Sequence, residues 1–232
     1  VSTGSINVMT LNINRMVQLN KDLKTELNKV HKFQIAYRKN IENFLNSGIL
    51  PAYDAGFINL NKQFLTIGIS GIAEAAESKG ILVGNNDEYK SFVVNILKII
   101  YDANREITKE TGYMFNTEMV PGENLGVKFA KWDKSNGLKV NRDCYNSYFY
   151  IVEDENIDIY DKFILHGREI ITYLDGGSAL HLNLDVHLDE NGYYNLFKIA
   201  AKTGCNYWTT NVKSTCCDEL GCGYINKKTT DK

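Results

Sequence analysis

Three groups of residues have types and spacings that could do chemistry. The first is Met119-Val120-Pro121-Gly122-Glu123-Asn124-Leu125-Gly126-Val127, near the middle of the chain. A β-like run, Tyr113 to Val120, leads in, and a helical run, Leu125 to Trp132, leads out. Pro121 and Gly122 turn the chain, and Glu123 and Asn124 stand where a helix begins. The first turn of a helix offers N–H groups without intrahelical partners and the positive end of the helix dipole, which suits a phosphate. Residue types alone favour a plain strand-to-helix turn, because turn dipeptides are common. The second group is Gly176-Gly177-Ser178 with His181. It reads equally as a tight turn before an ordinary strand or as a site. The third is Cys216, Cys217 and Cys222, three of five cysteines within seven residues. That crowding suits a metal better than a dispersed disulfide framework. Glu74 and Glu77 share a helix face, where paired carboxylates can do acid–base work but are ordinarily just solvated.

These groups need elements to place them. Ile6 to Ile13 is apolar on both faces, like a strand buried on both sides. Asn12 and Asn14 alternate with it and are taken to close the strand end. Arg15 to Asn46 is the longest helical pattern, with Leu23, Leu27, Val30, Tyr37, Ile41 and Phe44 as its apolar stripe. It is expected on the outside of a larger body, in a dimer contact, with His31 at or near the surface. Gly48 and Pro51 stop it. Tyr53 to Leu60 is a loop or short strand, Leu65 to Ile69 a buried strand, and Ile72 to Ser78 a short helix. Asn85-Asn86-Asp87 caps a second long helix that Gly112 ends. Ile157 to Gly167 is helical. His181 to Leu188 alternates as a strand with one polar face. Gly192 to Lys202 is helical, and Tyr207 to Val212 is the last strand. Strands alternating with helices, some apolar on both faces, make an α/β fold with a largely parallel sheet or barrel. We expect residues 1–212 to form one domain and 213–232 a cysteine-rich tail.

The 232 residues carry a net charge of −2 with no basic patch, which argues against a dedicated nucleic-acid or membrane-surface protein. No apolar run reaches bilayer length, and Val1 to Ser5 is not a signal peptide. A cytoplasmic protein is the default expectation. Cys205 reads as a buried inert thiol.

Four stretches in order resemble one family. They are Phe64-Leu65-Thr66-Ile67-Gly68-Ile69-Ser70-Gly71-Ile72-Ala73-Glu74-Ala75, the Met119 to Val127 stretch with its Pro121 to Asn124 turn, Leu174-Asp175-Gly176-Gly177-Ser178-Ala179-Leu180-His181, and Thr203-Gly204-Cys205-Asn206-Tyr207-Trp208. Together they look like the C-terminal half of the anaerobic (class III) ribonucleoside-triphosphate reductases, and the resemblance runs nearly the whole length. It implies part of a ten-stranded α/β barrel of the ribonucleotide reductase and glycyl radical type. Pro121, Gly122, Glu123 and Asn124 would flank the substrate phosphates, Gly122 and Asn124 through backbone N–H groups. Glu123 would cap the helix or assist proton transfer on the ribose. Gly176, Gly177, Ser178 and His181 would form a substrate-side loop at the barrel mouth. Cys217 and Cys222 would be the first half of a structural zinc site, spaced two residues wider than Cys-x-x-Cys. Two thiolates alone do not complete a tetrahedral zinc site.

The resemblance also implies a glycyl radical, a thiyl cysteine expected before Val1, and a radical glycine expected beyond Lys232. It implies ATP and deoxynucleotide effectors on a further domain, a ribonucleoside triphosphate substrate, an S-adenosylmethionine-dependent iron–sulfur activase and a homodimer of the complete chain. Two other readings stay open. One is a related glycyl radical lyase, and the other a non-catalytic assembly or split-subunit module.

Overall fold

The computed structural model describes residues 3–119, 122, 124–212, 215–216, 219, 222 and 225–226. The first sheet is four-stranded and parallel throughout: β1 (Gly4–Asn12), β2 (Gln63–Ser70), β3 (Met114–Met119) and β4 (Gly177–Ser178), side by side in chain order. Only Ala179 separates β4 from β5 (Leu180–Leu184), which pairs in parallel with β6 (Trp208–Val212). A short antiparallel pair, β7 (Thr215–Cys216) and β8 (Ile225–Asn226), follows. The helices are α1 (Ile13–Gln18), α2 (Leu23–Asn46), α3 (Pro51–Asp54), α4 (Ile72–Ser78), α5 (Asp87–Thr111), α6 (Asn124–Ser135), α7 (Ile159–Leu165), α8 (Arg168–Ile171) and α9 (Glu190–Thr203). This is the mixed α/β fold expected, in two parallel sheets and not in one closed ten-stranded barrel among the described residues.

Parallel register decides which residues share a face. Residues paired across strands point to the same side, and neighbours along a strand point to opposite sides. Met9, Leu11, Ile67 and Ile69 fall on one side with Thr117 and Met119. That side meets the helices: Asn104 Nδ2 of α5 donates to Thr117 Oγ1 at 3.0 Å, and Ile67, Ile69 and Met119 join the core with Leu97 and Ile100. The other side carries Val8–Thr66–Asn116 in one row and Thr10–Gly68–Glu118–Gly177 in the next. Thr66 Oγ1 donates to Asn116 Oδ1 at 2.6 Å along the first row. This polar side we call the inner face. Val8, on it, is 44% exposed, so β1 is not the doubly buried strand that its apolar pattern suggests. Gly68 leaves no room for a side chain, since a Cβ there would lie 2.5 Å from Thr10 Oγ1.

The long helical pattern is broken. Asn20 takes a left-handed φ of 48°, and the Asp22 side chain then caps α2 by accepting from Thr25 N at 2.8 Å. The buried face of α2 also differs from the apolar stripe read in the sequence. Leu27, His31, Gln34 and Arg38 are buried, whereas Phe33, Tyr37 and Phe44 are exposed. The polar groups find specific partners. His31 Nε2 is 2.8 Å from Asn104 Oδ1, Gln34 donates to the Thr66 carbonyl at 2.7 Å, and Arg38 donates to the Leu60 carbonyl at 2.9 Å. Periodicity alone cannot separate a helix side that packs on its own sheet from one turned outward. α5 follows expectation, with Asn86 accepting from Tyr89 N and Gly112 in the left-handed region at its end. Tyr53 belongs to the single turn α3, and β5 stops at Leu184, short of the run read to Leu188.

A buried carboxylate joins the first strand to α6. Asp133 Oδ2 accepts from Asn12 Nδ2 at 3.0 Å and from Tyr145 O–H at 2.7 Å. Its Oδ1 accepts from Arg15 Nε at 2.6 Å, and Asn14 Nδ2 donates to Tyr145 Oη at 2.6 Å. Asn12 and Asn14 therefore do more than close a strand; they hold α6 against its end. Removing one partner of such a buried charged network is costly because the other partners stay desolvated. Asp133→Ala should lose about 3 kcal/mol of stability, read as a lowered denaturant midpoint. An unchanged midpoint would remove this network from the account.

Candidate functional site

The C-terminal ends of β1, β2 and β3 meet the loop 141–147 and the start of α6. Glu74 fixes that loop. Contrary to the solvated role expected of it, Glu74 is buried, and its Oε1 accepts from Asn146 N at 3.0 Å and Asn146 Nδ2 at 2.6 Å. Arg142 reaches Glu74 at 3.2 Å and Glu77 at 2.6 Å. Burial pushes the Glu74 carboxyl up, and its hydrogen bonds and Arg142 oppose that shift. α6 then closes on the loop. A Cβ at Gly126 would lie 2.7 Å from the Tyr145 carbonyl, so no larger residue fits the crossing.

At the turn itself, Gly122 N donates to Ser147 Oγ at 2.6 Å, and Leu125 N donates to the Gly122 carbonyl at 2.6 Å. Asn124 begins α6 and is exposed. Ser70 Oγ, at the end of β2, is buried without a hydrogen-bond partner among the described residues. It lies 3.9 Å from where a Gly122 Cβ would stand. Ser147 accepts from Gly122 and keeps its own proton to donate. Pro121 and Glu123 lie outside the described residues.

The glycine loop is built tightly onto β3. Asp175 Oδ1 accepts from Thr117 N at 2.9 Å, and Gly176 N donates to the Thr117 carbonyl at 2.8 Å. A Cβ at Gly176 would lie 2.7 Å from that carbonyl, and Gly177 takes a φ of 110°. Both glycines are thus required by the backbone path. They line a cleft of about 420 Å³ with Glu118, Ala179, Asn206 and Tyr207. Burial pushes the Glu118 carboxyl up.

Ser178 is paired with Met119, and its side chain turns to the helix side. There Ser178 Oγ lies 2.9 Å from His166 Nδ1. The other imidazole nitrogen, Nε2, faces the Phe149 N–H at 3.5 Å and can only accept from it. Nδ1 therefore carries the proton and donates to Ser178. His181 is half-buried, 6.3 Å between ring centroids from Tyr148, and its carbonyl accepts from Tyr150 O–H at 3.3 Å. It does not line the glycine-loop cleft.

Cys217 lies outside the described residues, and Cys222 is an exposed free thiol. Among the described residues no three His, Cys, Asp or Glu side chains gather as a metal would need. Cys205 is buried, and burial pushes its thiol up to about 11, as expected of an inert cysteine.

Comparison with known proteins decides the family. The sequence profile of the anaerobic ribonucleoside-triphosphate reductases matches residues 1–231. The chain belongs to this reductase family. The reductase of Thermotoga maritima in complex with dATP and CTP is 27% identical with a TM-score of 0.84, covering 95% of this chain and 40% of that one. The same enzyme with glycerol in the active site is 28% identical with a TM-score of 0.85, covering 96% and 39%. A further anaerobic ribonucleotide reductase is 28% identical with a TM-score of 0.86, covering 96% and 37%. The chain thus spans about two fifths of the reductases it resembles. No curated protein sequence matches it.

The sequence reading of this reductase chain missed Glu118, Ser147, His166 and Asp133. Glu118 carries a usable signal, a lone charge inside an otherwise buried strand. The other three act through contacts distant in sequence and leave no such mark.

Burial pushes the His166 imidazole down to about 3, against 6.5 for the free group. The unfolded chain takes up this proton as pH falls below about 6.5 and the folded chain does not. The stability that neutral His166 contributes is thus complete above that pH and is lost between there and about 3. The denaturant midpoint should fall over this window more steeply for the wild type than for His166→Gln. Equal slopes would contradict the burial of a neutral His166.

Proposed function

We propose that this chain forms part of the ten-stranded catalytic barrel of an anaerobic ribonucleotide reductase and seats the phosphates of a ribonucleoside triphosphate at the start of α6. The observation that carries the reading is the Gly122 turn. Its N–H meets Ser147, and the helix behind it is held by Asp133 and by the close crossing at Gly126. The inner face of the first sheet, together with β5 and β6, would form one wall of the barrel, over residues 1–212. Gly122 and Asn124 would bind phosphate through backbone N–H groups, the Gly122 N–H exchanging Ser147 Oγ for a phosphate oxygen, with Pro121 setting the turn and Glu123 capping α6 or assisting proton transfer on the ribose. Gly176 and Gly177 would face the substrate, with Ser178 and His181 supporting the same loop.

The complete enzyme would remove the ribose 2′-hydroxyl by radical chemistry, with a glycyl radical made by an S-adenosylmethionine-dependent iron–sulfur activase. It would respond to ATP and deoxynucleotide effectors. Residues 213–232 would be a cysteine-rich tail, with Cys217 and Cys222 the candidates for zinc in the complete protein. The outward aromatics Phe33, Tyr37 and Phe44 of α2 would serve the subunit contact of a homodimer. No helix among the described residues is long and apolar enough to cross a membrane, and the cytoplasm is the proposed site of action.

Equilibrium binding of CTP to the native polypeptide tests the phosphate seat. Inorganic tripolyphosphate should compete with CTP, and cytidine should not. A Cβ at Gly122 would lie 3.2 Å from Ser147 Oγ, so Gly122→Ala, which keeps the N–H but crowds Ser147 and displaces the turn, should weaken CTP binding about tenfold. Competition by cytidine alone, with Gly122→Ala unaffected, would overturn the proposed seat.

A further inference from the structure

His166 is a buried polar side chain that the phosphate seat leaves unused. It stands at the C-cap of α7, and α7 is fixed in the core by Phe163 and Leu165, with Phe163 edge-on to Trp208 of β6. The rings of Phe149, Tyr148 and Tyr150 lie 5.2, 5.9 and 5.9 Å from the imidazole. Enclosed in this way, the ring stays neutral, so one nitrogen carries a proton and the other a lone pair. Nδ1 donates to Ser178 Oγ at 2.9 Å, and Nε2 accepts from the Phe149 N–H at 3.5 Å. The bond to Ser178 is the shorter and stronger of the two.

What depends on Ser178 is the glycine loop. β4 is only two residues long, and it pairs with β3 through Glu118↔Gly177 and Met119↔Ser178 alone. Gly176 N donates to the Thr117 carbonyl at 2.8 Å, Gly177 N to the Leu174 carbonyl at 2.9 Å and Leu180 N to the Tyr207 carbonyl at 3.2 Å. Between these backbone bonds, the Ser178 side chain is tied to the helix side by His166. A strand of two rungs has little of its own to fix its position, so a bond to a rigid helix end decides where it sits. We infer that His166 is a positioning residue for substrate binding, holding Gly176 and Gly177 through Ser178 in the path that shapes the cleft of about 420 Å³. His166 does not itself line that cleft. The inference rests on the nucleotide-reductase reading and adds to it a residue that acts from behind the sheet. The cleft shares no lining residue with the turn at Gly122, Asn124 and Ser147, so the loop bears on the nucleoside part of the substrate and not on its phosphates.

Two substitutions separate positioning from packing. Asparagine puts its amide near the place of Nδ1 and can still donate to Ser178, whereas glutamine puts its amide near Nε2 and serves Phe149 alone. His166→Asn and His166→Gln both lose the ring, so a merely structural role would penalise them alike. Instead, His166→Gln in the native polypeptide should weaken CTP binding about tenfold, and His166→Asn should stay within about twofold. Ser178→Ala should match His166→Gln, and the double variant should be no weaker than either alone. Tripolyphosphate affinity should stay within about twofold throughout. Without ligand, the Gly176, Gly177 and Leu180 amides should exchange about tenfold faster in His166→Gln and Ser178→Ala but not in His166→Asn. Thermal unfolding checks that the variants fold, and Ser178→Ala carries the test should a histidine variant fail. Equal loss of CTP affinity in both histidine variants, additive losses in the double variant, or unchanged amide exchange in Ser178→Ala overturns the inference and leaves the phosphate seat standing. The expected pattern for CTP without any tripolyphosphate binding overturns the seat and leaves the inference standing. No CTP binding by the wild type overturns both.

Discussion

In-register parallel pairing of β1, β2 and β3 is the constraint on which the rest of this chain depends. It puts Met9, Leu11, Ile67, Ile69 and Met119 toward the helices and Thr10, Thr66, Asn116 and Glu118 on the other side. A slip of one residue would exchange the two sets and bury Glu118 among aliphatic side chains. Gly68 enforces the pairing locally, because a side chain there would collide with Thr10. The apolar side supplies the hydrophobic stabilisation, and the polar side is thereby released from packing duty.

A second layer of contacts fixes what lies at the strand ends. Asp133 ties α6 to Asn12 and Arg15, and Glu74 ties the 142–146 loop to α4 through Arg142 and Asn146. Both carboxylates are buried, Asp133 with donors on both oxygens and Glu74 with all its donors on Oε1, its Oε2 being buried without a partner among the described residues. Their common effect is to hold the start of α6, Ser147 and the end of β2 in one fixed group. Glu118 stands apart from this pattern as a partly buried carboxylate left without a partner among the described residues.

Much of this was legible in the sequence. Local turn chemistry marked the caps at Asn86 and Gly112 and the strand-to-helix passage at Gly122 almost to the residue. The glycine loop was recognised, and the structure adds why glycine is needed at Gly176, namely the Thr117 carbonyl beneath it. What failed was the sidedness of α2. Its buried positions are largely polar because each meets a specific partner from β2, α5 or the Leu60 turn, and its aromatics face outward. Partners that lie many residues away are invisible to periodicity. The same reason hid His166, whose role exists only through Ser178 and Phe149, and Asp133, whose partners come from the other end of the chain.

The measurement that bears most directly on the central claim is a crystal structure of the native polypeptide with CTP bound. The account predicts the triphosphate at the turn formed by Gly122, Asn124 and Ser147. Triphosphate density away from the start of α6 would contradict it.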